Sequence, residues 1–165
     1  MSIPPEDLIM QADLLNVRLE IVRGLPIWEA SPVAEHQLEV DRIRASIGVH
    51  EGSDCACFHL ADVLFKFQDG SLKRPDIAVL CDTPSGPQLR HALEIVPEAV
   101  IEIVSEGYER KDLELAPSFY LSFGVKDVII FEPQTKIVYH HRRNGVKRLE
   151  SPVRIEFECG CACEI

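Results

Sequence analysis

The sequence predicts one α/β or α+β domain, and three observations support this. Helical segments alternate with groups of strands, an order that fits α/β or α+β and excludes an all-β fold. The chain has 165 residues, the size of one ordinary domain, without an internal repeat, linker or low-complexity tract. Hydrophobic residues make up 46% and charged residues 27%, as in typical globular proteins. We therefore predict a single domain over residues 1–165.

The first predicted elements are a short helix and two strands. Leu8 to Leu15 has the character of a helix, and Val17 to Val22 alternates as a strand that ends before Gly24. Pro26 to Trp28 continues as a second short strand.

A longer helix and a hairpin are expected next. Ser31 and Pro32 fit the N-cap and the first position of a helix whose apolar stripe runs from Val33 to Ile47. Phe58 to Phe67 alternates as a strand, and the Asp69-Gly70 turn reverses the chain.

The centre of the sheet is predicted from two apolar runs. Ile77 to Leu80 forms the return strand, and a proline- and glycine-rich loop follows from Asp82 to Pro97. Ala99 to Val104 is nearly continuously apolar, as expected of a strand covered on both faces. A helix within Lys111 to Phe123 should end at Gly124.

The last part of the chain is predicted to be strands joined by turns. Asp127 to Phe131 is another apolar strand, and Pro133 to Thr135 turns the chain into Ile137 to Tyr139. Asn144-Gly145 turns it again, and we expect Val153 to Phe157 to close the sheet.

Composition narrows the class of function. The net charge of −10 and the pI near 5.0 argue against a strongly basic nucleic-acid binder. They do not exclude an enzyme acting on a polyanion, because a divalent metal and a local basic patch can offset charge at the site. The N-terminus lacks signal-peptide character, and no apolar stretch approaches the roughly 20 residues that span a bilayer. We therefore expect a cytoplasmic protein with no membrane partner.

Cysteine is unusually frequent, with six residues: Cys55, Cys57, Cys81, Cys159, Cys161 and Cys163. Without a secretory signal, reduced thiols are expected. Two interpretations stay open. Cys55-x-Cys57 with His59 could bind zinc together with Cys159-x-Cys161-x-Cys163 if the two segments meet. Alternatively, the cysteines are small apolar residues packed on sheet faces.

Two carboxylates stand out at strand positions. Glu102 interrupts an apolar strand, where an uncompensated ion costs several kcal/mol to bury. Asp76 begins another apolar strand, directly after Pro75. Carboxylates at the ends of adjacent strands can share a hard cation such as magnesium or manganese. Alternatively, Glu102 lies on a sheet edge in solvent or pairs with an arginine.

A set of short motifs in order resembles the Uma-two family, commonly described as "putative restriction endonucleases". The resemblance covers nearly the whole chain. The matching segments are Glu20 to Gly24, Ser31-Pro32 with His36-Gln37, Arg74 to Val79, Val100 to Ser105, Asp112, Tyr120 and Gly124 to Pro133.

The resemblance implies a PD-(D/E)xK restriction-endonuclease-like core, a central mixed sheet flanked by helices. It implies that Asp76 and Glu102 hold magnesium or manganese, with the carbonyl of Ile103 as third ligand. Glu20 and Glu35 become lesser candidates for an outer or second metal contact, and Ser105 and Asp112 for supporting positions. The implied activity is metal-dependent hydrolysis of DNA phosphodiesters. A homodimer fits this, because nucleases that cut both strands often act as two-fold pairs.

The expected lysine is missing. The nuclease motif places it two residues after the glutamate, where this chain has Val104, and the Uma-two pattern places it at Ala116. Lys111 or Arg110 could substitute, although on a regular helix Lys111 projects from a different face than residue 116. The alternative function is a catalytically inactive nuclease-fold protein that binds or assembles.

Overall fold

The computed structural model describes residues 3–29, 31–54, 56–109 and 111–165. Within these residues the α-helices are α1 (Pro5–Leu14), α2 (Ala34–Ser46) and α3 (Ala116–Ser122). A 3-10 helix spans Gly86–Arg90, and a π-helical turn spans Lys111–Leu115 directly before α3. No helix in the described part of the chain is both long and apolar enough to cross a membrane.

Thirteen short strands form three sheets in the described residues. In chain order they are β1 (Leu19–Val22), β2 (Leu25–Trp28), β3 (Gly48–Val49), β4 (Phe58–Ala61), β5 (Phe65–Lys66), β6 (Leu72–Lys73), β7 (Ile77–Leu80), β8 (Ala99–Ile103), β9 (Asp127–Glu132), β10 (Ile137–Arg142), β11 (Gly145–Glu150), β12 (Arg154–Glu156) and β13 (Cys161–Glu164).

The central sheet has the strand order β11-β10-β9-β8-β7-β4. Only β8 and β9 pair in parallel, so the sheet is mixed, as predicted. The N-terminal sheet has the order β2-β1-β6-β5, and the C-terminal sheet β12-β13-β3. The prediction of a mixed sheet flanked by helices is confirmed.

The central sheet is covered on both faces, which explains the apolar run of β8. On one face Ile101 packs with Ile43 of α2 and with the C-terminal sheet. On the other face Val100 packs with Phe119 and Tyr120 of α3. Because successive residues of a strand point to opposite faces, both sides of β8 have to be apolar.

Three predicted details of the elements are wrong. Val153 to Phe157 does not close the central sheet, because β12 pairs with β13 in the C-terminal sheet and β11 forms the edge. Ser31 does not cap α2, since the N-cap is Val33 in an extended conformation and makes no side-chain cap hydrogen bond. The strand Phe58 to Phe67 is split at Asp62, which adopts a left-handed φ of 57° and pairs with Arg18.

The expectation of reduced thiols is also wrong at one pair of cysteines. Cys57 and Cys161 form a disulfide, with their Cα atoms 6.5 Å apart. The separation is within the range that a disulfide bridges, because the C-terminal hairpin lies across the end of the central sheet. Cys55 lies outside the described residues.

Asp127 ties the C-terminal hairpin to the central sheet. Its Oδ1 accepts hydrogen bonds at 2.6 Å from His140 Nε2 and from Arg142 Nε, and its Oδ2 accepts one at 2.7 Å from the Glu158 amide. Burial acts to raise the pKa of Asp127, but the hydrogen bonds outweigh burial and lower the pKa.

We predict that Asp127→Asn lowers the free energy of unfolding by about 2 kcal/mol at pH 7, because an amide accepts from only one atom and carries no charge. The lowered pKa makes the contribution of Asp127 fully present above its ordinary pKa of 3.8 and lost as the pH falls through the folded value. Urea unfolding should therefore show this difference in the free energy of unfolding between wild type and Asp127→Asn at pH 7, and a smaller difference below about pH 4. Glu150→Gln, on the exposed edge strand, is the control, and an equal loss in both variants would contradict the assignment.

Candidate functional site

Asp76 and Glu102 meet at the end of adjacent strands. β7 pairs with β8 so that Ile77 lies opposite Ile101, which places Asp76 beside Glu102. The Asp76 amide donates to Glu102 Oε2 at 3.1 Å, and the Ile103 amide donates to Asp76 Oδ2 at 2.8 Å. The two carboxylates therefore face the same pocket, and the backbone of each strand holds the other strand's acid.

Glu102 is an acid buried where an ion is costly. Its residue is 5% exposed, and Tyr120 donates a hydrogen bond of 2.7 Å to Oε1. Burial and then the charge of Asp76 raise the pKa of Glu102 well above its ordinary value, although Lys73 acts to lower it. Burial and then Glu102 likewise raise the pKa of Tyr120. The positive charge of Lys73 therefore does not offset the burial of Glu102 and the charge of Asp76.

Asp112 adds a third acid to the pocket that Asp76 and Glu102 line. It lies in the π-helical turn and is almost fully buried. Burial, opposed by the charge of Lys111 and reinforced by Asp76, raises the pKa of Asp112 to about 6. The backbone of Ser105, which also lines the pocket, donates a hydrogen bond to Asp112.

His36 is a pocket residue that was not among the predicted site residues. Its Nε2 lies 3.1 Å from Asp76 Oδ2, and it also hydrogen-bonds the backbone of Ile103. Burial acts to lower the pKa of His36, but the hydrogen bond and the charge of Asp76 outweigh burial and raise it. The sequence indicated His36 only as part of the family motif at the start of α2, and that motif assigned no function to the residue.

Lys111 enters the pocket through the π-helical turn. Its Nζ forms an ion pair with Glu29 and lies 3.4 Å from Glu20 Oε2 and 4.0 Å from Asp112 Oδ1. On a regular helix Lys111 would project from a different face than residue 116. Lys111 instead begins a π-helical turn, in which hydrogen bonds run from i to i+5 and five residues correspond to roughly one turn, and Lys111 and Ala116 line the same depression. Arg110 lies outside the described residues.

Lys73 is a second lysine near the acids that sequence analysis missed. It is 2% exposed, and its Nζ lies 2.7 Å from Glu20 Oε2 and 5.2 Å from the centre of the Tyr120 ring. Burial acts to lower the pKa of Lys73, but the charges of Glu20 and then Glu102 outweigh burial and raise it. A charged residue in a two-residue strand gives no sequence sign that it faces inward.

Glu20 and Glu35 lie apart from the pocket of Asp76. Glu20 is fully buried behind the two lysines, and its Oε1 accepts from the Arg74 amide at 2.9 Å. Burial acts to raise the pKa of Glu20, but the charges of Lys73 and then Lys111 outweigh burial and lower the pKa. Glu35 is exposed in the first turn of α2 and lines a neighbouring depression.

The two positions at which a lysine was expected are occupied by apolar packing. Val104 is half-buried and Ala116 is buried, and both contact the core on the α3 face of the sheet. The small side chain of Ala116 lies beside Lys73 and Lys111 in a second depression.

The oxygen atoms of the pocket fit a hard divalent cation. Among the described residues, Asp76 Oδ1 accepts no hydrogen bond, and it faces the same pocket as Glu102 and Ile103. Carboxylate and carbonyl oxygens are the ligands that magnesium and manganese prefer. A cation there would offset the burial and the charge of Asp76, which raise the pKa of Glu102.

Comparisons with known proteins agree with this architecture. A family model, Uma2, described as "Putative restriction endonuclease", matches residues 5–157. A solved structure described as "a putative nuclease belonging to DUF820" from Anabaena variabilis superposes with a TM-score of 0.66 at 17% identity, covering 84% of this chain and 80% of that one. No curated protein matches the chain.

We predict that Glu102→Gln stabilises the metal-free protein by about 1–2 kcal/mol at pH 8, because the glutamine oxygen can accept from the Asp76 amide while its NH2 group donates to the Tyr120 hydroxyl oxygen, without a buried charge. A raised acid pKa means that the wild type loses stability as the pH rises from about 4.5 through the folded value. Thermal unfolding in the presence of a chelator should therefore show that the stability difference between Glu102→Gln and wild type grows from pH 5 to pH 8. The control is Glu106→Gln, an exposed acid, and a Glu102→Gln protein less stable than wild type at pH 8 would contradict the prediction.

Proposed function

This chain belongs to the Uma2 family, and from that premise we propose that it is a metal-dependent endonuclease that hydrolyses DNA phosphodiester bonds. The observation that carries the proposal is the meeting of Asp76 and Glu102 at adjacent strand ends, with the backbone of Ile103 between them. Three acids in one pocket are costly in a protein that does not bind a cation there.

Asp76, Glu102 and the Ile103 carbonyl are the proposed ligands of magnesium or manganese. A divalent ion held by these residues would activate water and neutralise charge on the scissile phosphate. Tyr120 holds Glu102 in place through its hydrogen bond to Oε1, which leaves Oε2 near Asp76. His36 holds Asp76 Oδ2 in the same way from α2.

Lys111 is the proposed substitute for the missing lysine. Its ammonium group lies in the pocket, and Glu29, Glu20 and Asp112 surround it. A cation beside the attacked phosphate stabilises charge in the transition state. The small side chain of Ala116 lies beside Lys111, so a lysine from the preceding π-turn takes the space that a lysine at position 116 would need. Glu20 and Asp112 act by positioning Lys111.

Ser105 and Glu35 have lesser roles in the proposal. Ser105 borders both the pocket and the depression that contains Glu35, and its backbone holds Asp112. Glu35 is exposed beside the pocket, where it could take an outer metal contact through water.

We predict that the protein cleaves plasmid DNA with magnesium or manganese, and that Asp76→Ala and Glu102→Ala each abolish cleavage. Lys111→Ala should lower the rate about 100-fold, because an electrostatic contact to the transition state of this kind is worth roughly 10²–10³. Lys147→Ala, which removes an exposed lysine of β11, is the matched control and should cleave like the wild type.

The cleavage assay separates this proposal from the inactive nuclease-fold alternative. Cleavage by wild type and control, lost with either acid, supports the enzyme. Absence of cleavage with both metals contradicts it and favours a protein that binds or assembles, with Val104 and Ala116 as the reason. Undiminished cleavage by Lys111→Ala would contradict the role of that lysine alone.

A two-fold homodimer completes the proposal, because two symmetric sites can each cut one strand of a duplex. We predict that sedimentation gives a mass of about twice the 18.6 kDa of the chain. A monomer that makes only single-strand nicks would contradict the dimer and leave the chemistry at Asp76 intact.

A further inference from the structure

Four cysteines from three distant segments meet at the end of the central sheet. One directly precedes β4, one directly follows β7, and two flank Gly160 in the β12–β13 hairpin: Cys57, Cys81, Cys159 and Cys161. β4 and β7 are antiparallel with Phe58 opposite Leu80, so the first two cysteines lie at the same end of the sheet.

The sulfur atoms are grouped around Cys57. Its Sγ lies 3.4 Å from Cys81 Sγ and 3.4 Å from Cys159 Sγ, and it is bonded to Cys161 in the disulfide. The sulfurs of Cys57, Cys81 and Cys159 all lie within 4.8 Å of one another. Among the histidine, cysteine and acidic side chains of the described residues, no other group of three or more places its possible ligand atoms within 4.8 Å of one another.

We propose that, when the disulfide is reduced, the thiolates of Cys57, Cys81, Cys159 and Cys161 bind one zinc ion. In tetrahedral coordination with Zn–S near 2.3 Å, neighbouring sulfurs lie roughly 3.8 Å apart. The two observed separations of 3.4 Å are slightly shorter than that value, and the sulfurs of Cys81 and Cys159 also lie within 4.8 Å of each other. The disulfide joins two of the four sulfurs, and the β4–β7 register and the hairpin bring the other two within ligand distance of the same point.

The backbone of the β12–β13 hairpin allows two cysteines separated by one residue, Cys159 and Cys161, to bind the same zinc ion. Gly160 has a φ of 96°, a left-handed conformation that side chains rarely adopt. The turn is closed by hydrogen bonds from the Gly160 amide to the Phe157 carbonyl and from the Phe157 amide to the Cys161 carbonyl, at 3.0 and 2.8 Å. This turn brings both Cys159 and Cys161 to Cys57.

The ligand set differs from the one that the sequence suggested. His59 hydrogen-bonds Arg44 instead of joining the sulfurs, and Cys163 is buried in the core, where burial raises the pKa of its thiol to about 12. Cys81, a single cysteine far from the other pairs in sequence, takes the fourth position because of the β4–β7 register.

A dithiol reductant can convert the disulfide-bonded protein into the reduced protein that binds zinc. The reductant breaks the Cys57–Cys161 bond, gives it two electrons and two protons, and becomes a disulfide itself. Zinc then displaces four protons from the four thiols.

This zinc site is separate from the acids of the pocket. Cys81 follows β7 and Asp76 precedes it, so the two lie at opposite ends of a strand and about 16 Å apart along it. Four thiolates complete the coordination of zinc and leave no position for substrate, which makes the site structural. Its consequence is that the C-terminal hairpin is fastened to the central sheet.

The experiment is a metal analysis of the full chain after reduction, incubation with zinc and removal of unbound metal. We expect about one zinc per chain in the wild type, in Cys163→Ala and in an Asp76→Ala, Glu102→Ala double variant. We expect Cys81→Ser and Cys159→Ser to lose at least tenfold in affinity. Cys81→Ser leaves the disulfide in place, so its unreduced form serves as the folded reference.

Cobalt substitution tests the geometry without any variant. Reduced wild type should show the strong visible absorption of tetrahedral cobalt with thiolate charge-transfer bands, and zinc should displace it. Zinc-free wild type after reduction, or full zinc retention by Cys81→Ser, would overturn the site. Zinc lost only from the Asp76 and Glu102 double variant would overturn it as well, by placing the metal in the pocket. None of these results depends on DNA cleavage.

Discussion

The structure around the candidate site depends on one constraint, a carboxyl group buried in the central strand of a sheet that is apolar on both faces. Glu102 belongs to the strand that packs against α2 on one side and α3 on the other. Its two oxygens are held by the Asp76 amide and the Tyr120 hydroxyl, which fix its orientation without supplying positive charge. We therefore interpret the site as one that a bound cation would stabilise, and whose buried acid lowers stability when no cation is bound.

Lys73 and Lys111 offset part of the negative charge of the acids in and beside the pocket. Lys73 and Glu20 form an almost fully buried ion pair, and Lys111 extends that network to the pocket. Breaking such a pair leaves an uncompensated ion and is strongly destabilising, whereas the intact pair contributes little net stability. We interpret the pair as the element that positions Lys111, with the wide π-turn giving its side chain the direction that a regular helix does not.

Much of the fold followed from local patterns, and less of the site did. The apolar run interrupted only by Glu102 predicted the central strand. The resemblance to the Uma-two family, and not the local pattern, assigned Glu102 and Asp76 to the site, because a lone acid in a strand and a Pro-Asp dipeptide are both common outside functional sites. Strand patterns do not specify the partner sheet, which is why Val153 to Phe157 was misassigned and why the inward position of Lys73 was missed. His36 and Cys81 were missed for the same reason, because each acquires its role only when distant segments pack together.

The most direct test is a calorimetric titration of the metal-free protein, with its disulfide intact, with manganese and without DNA. The disulfide removes two of the four thiolates of the proposed zinc site, and manganese prefers oxygen ligands to thiolates, so that manganese reports on the pocket. The account predicts one manganese per chain in the wild type and none in Asp76→Ala or Glu102→Ala. Manganese binding that is unchanged in both variants would contradict the claim that these two acids hold the metal.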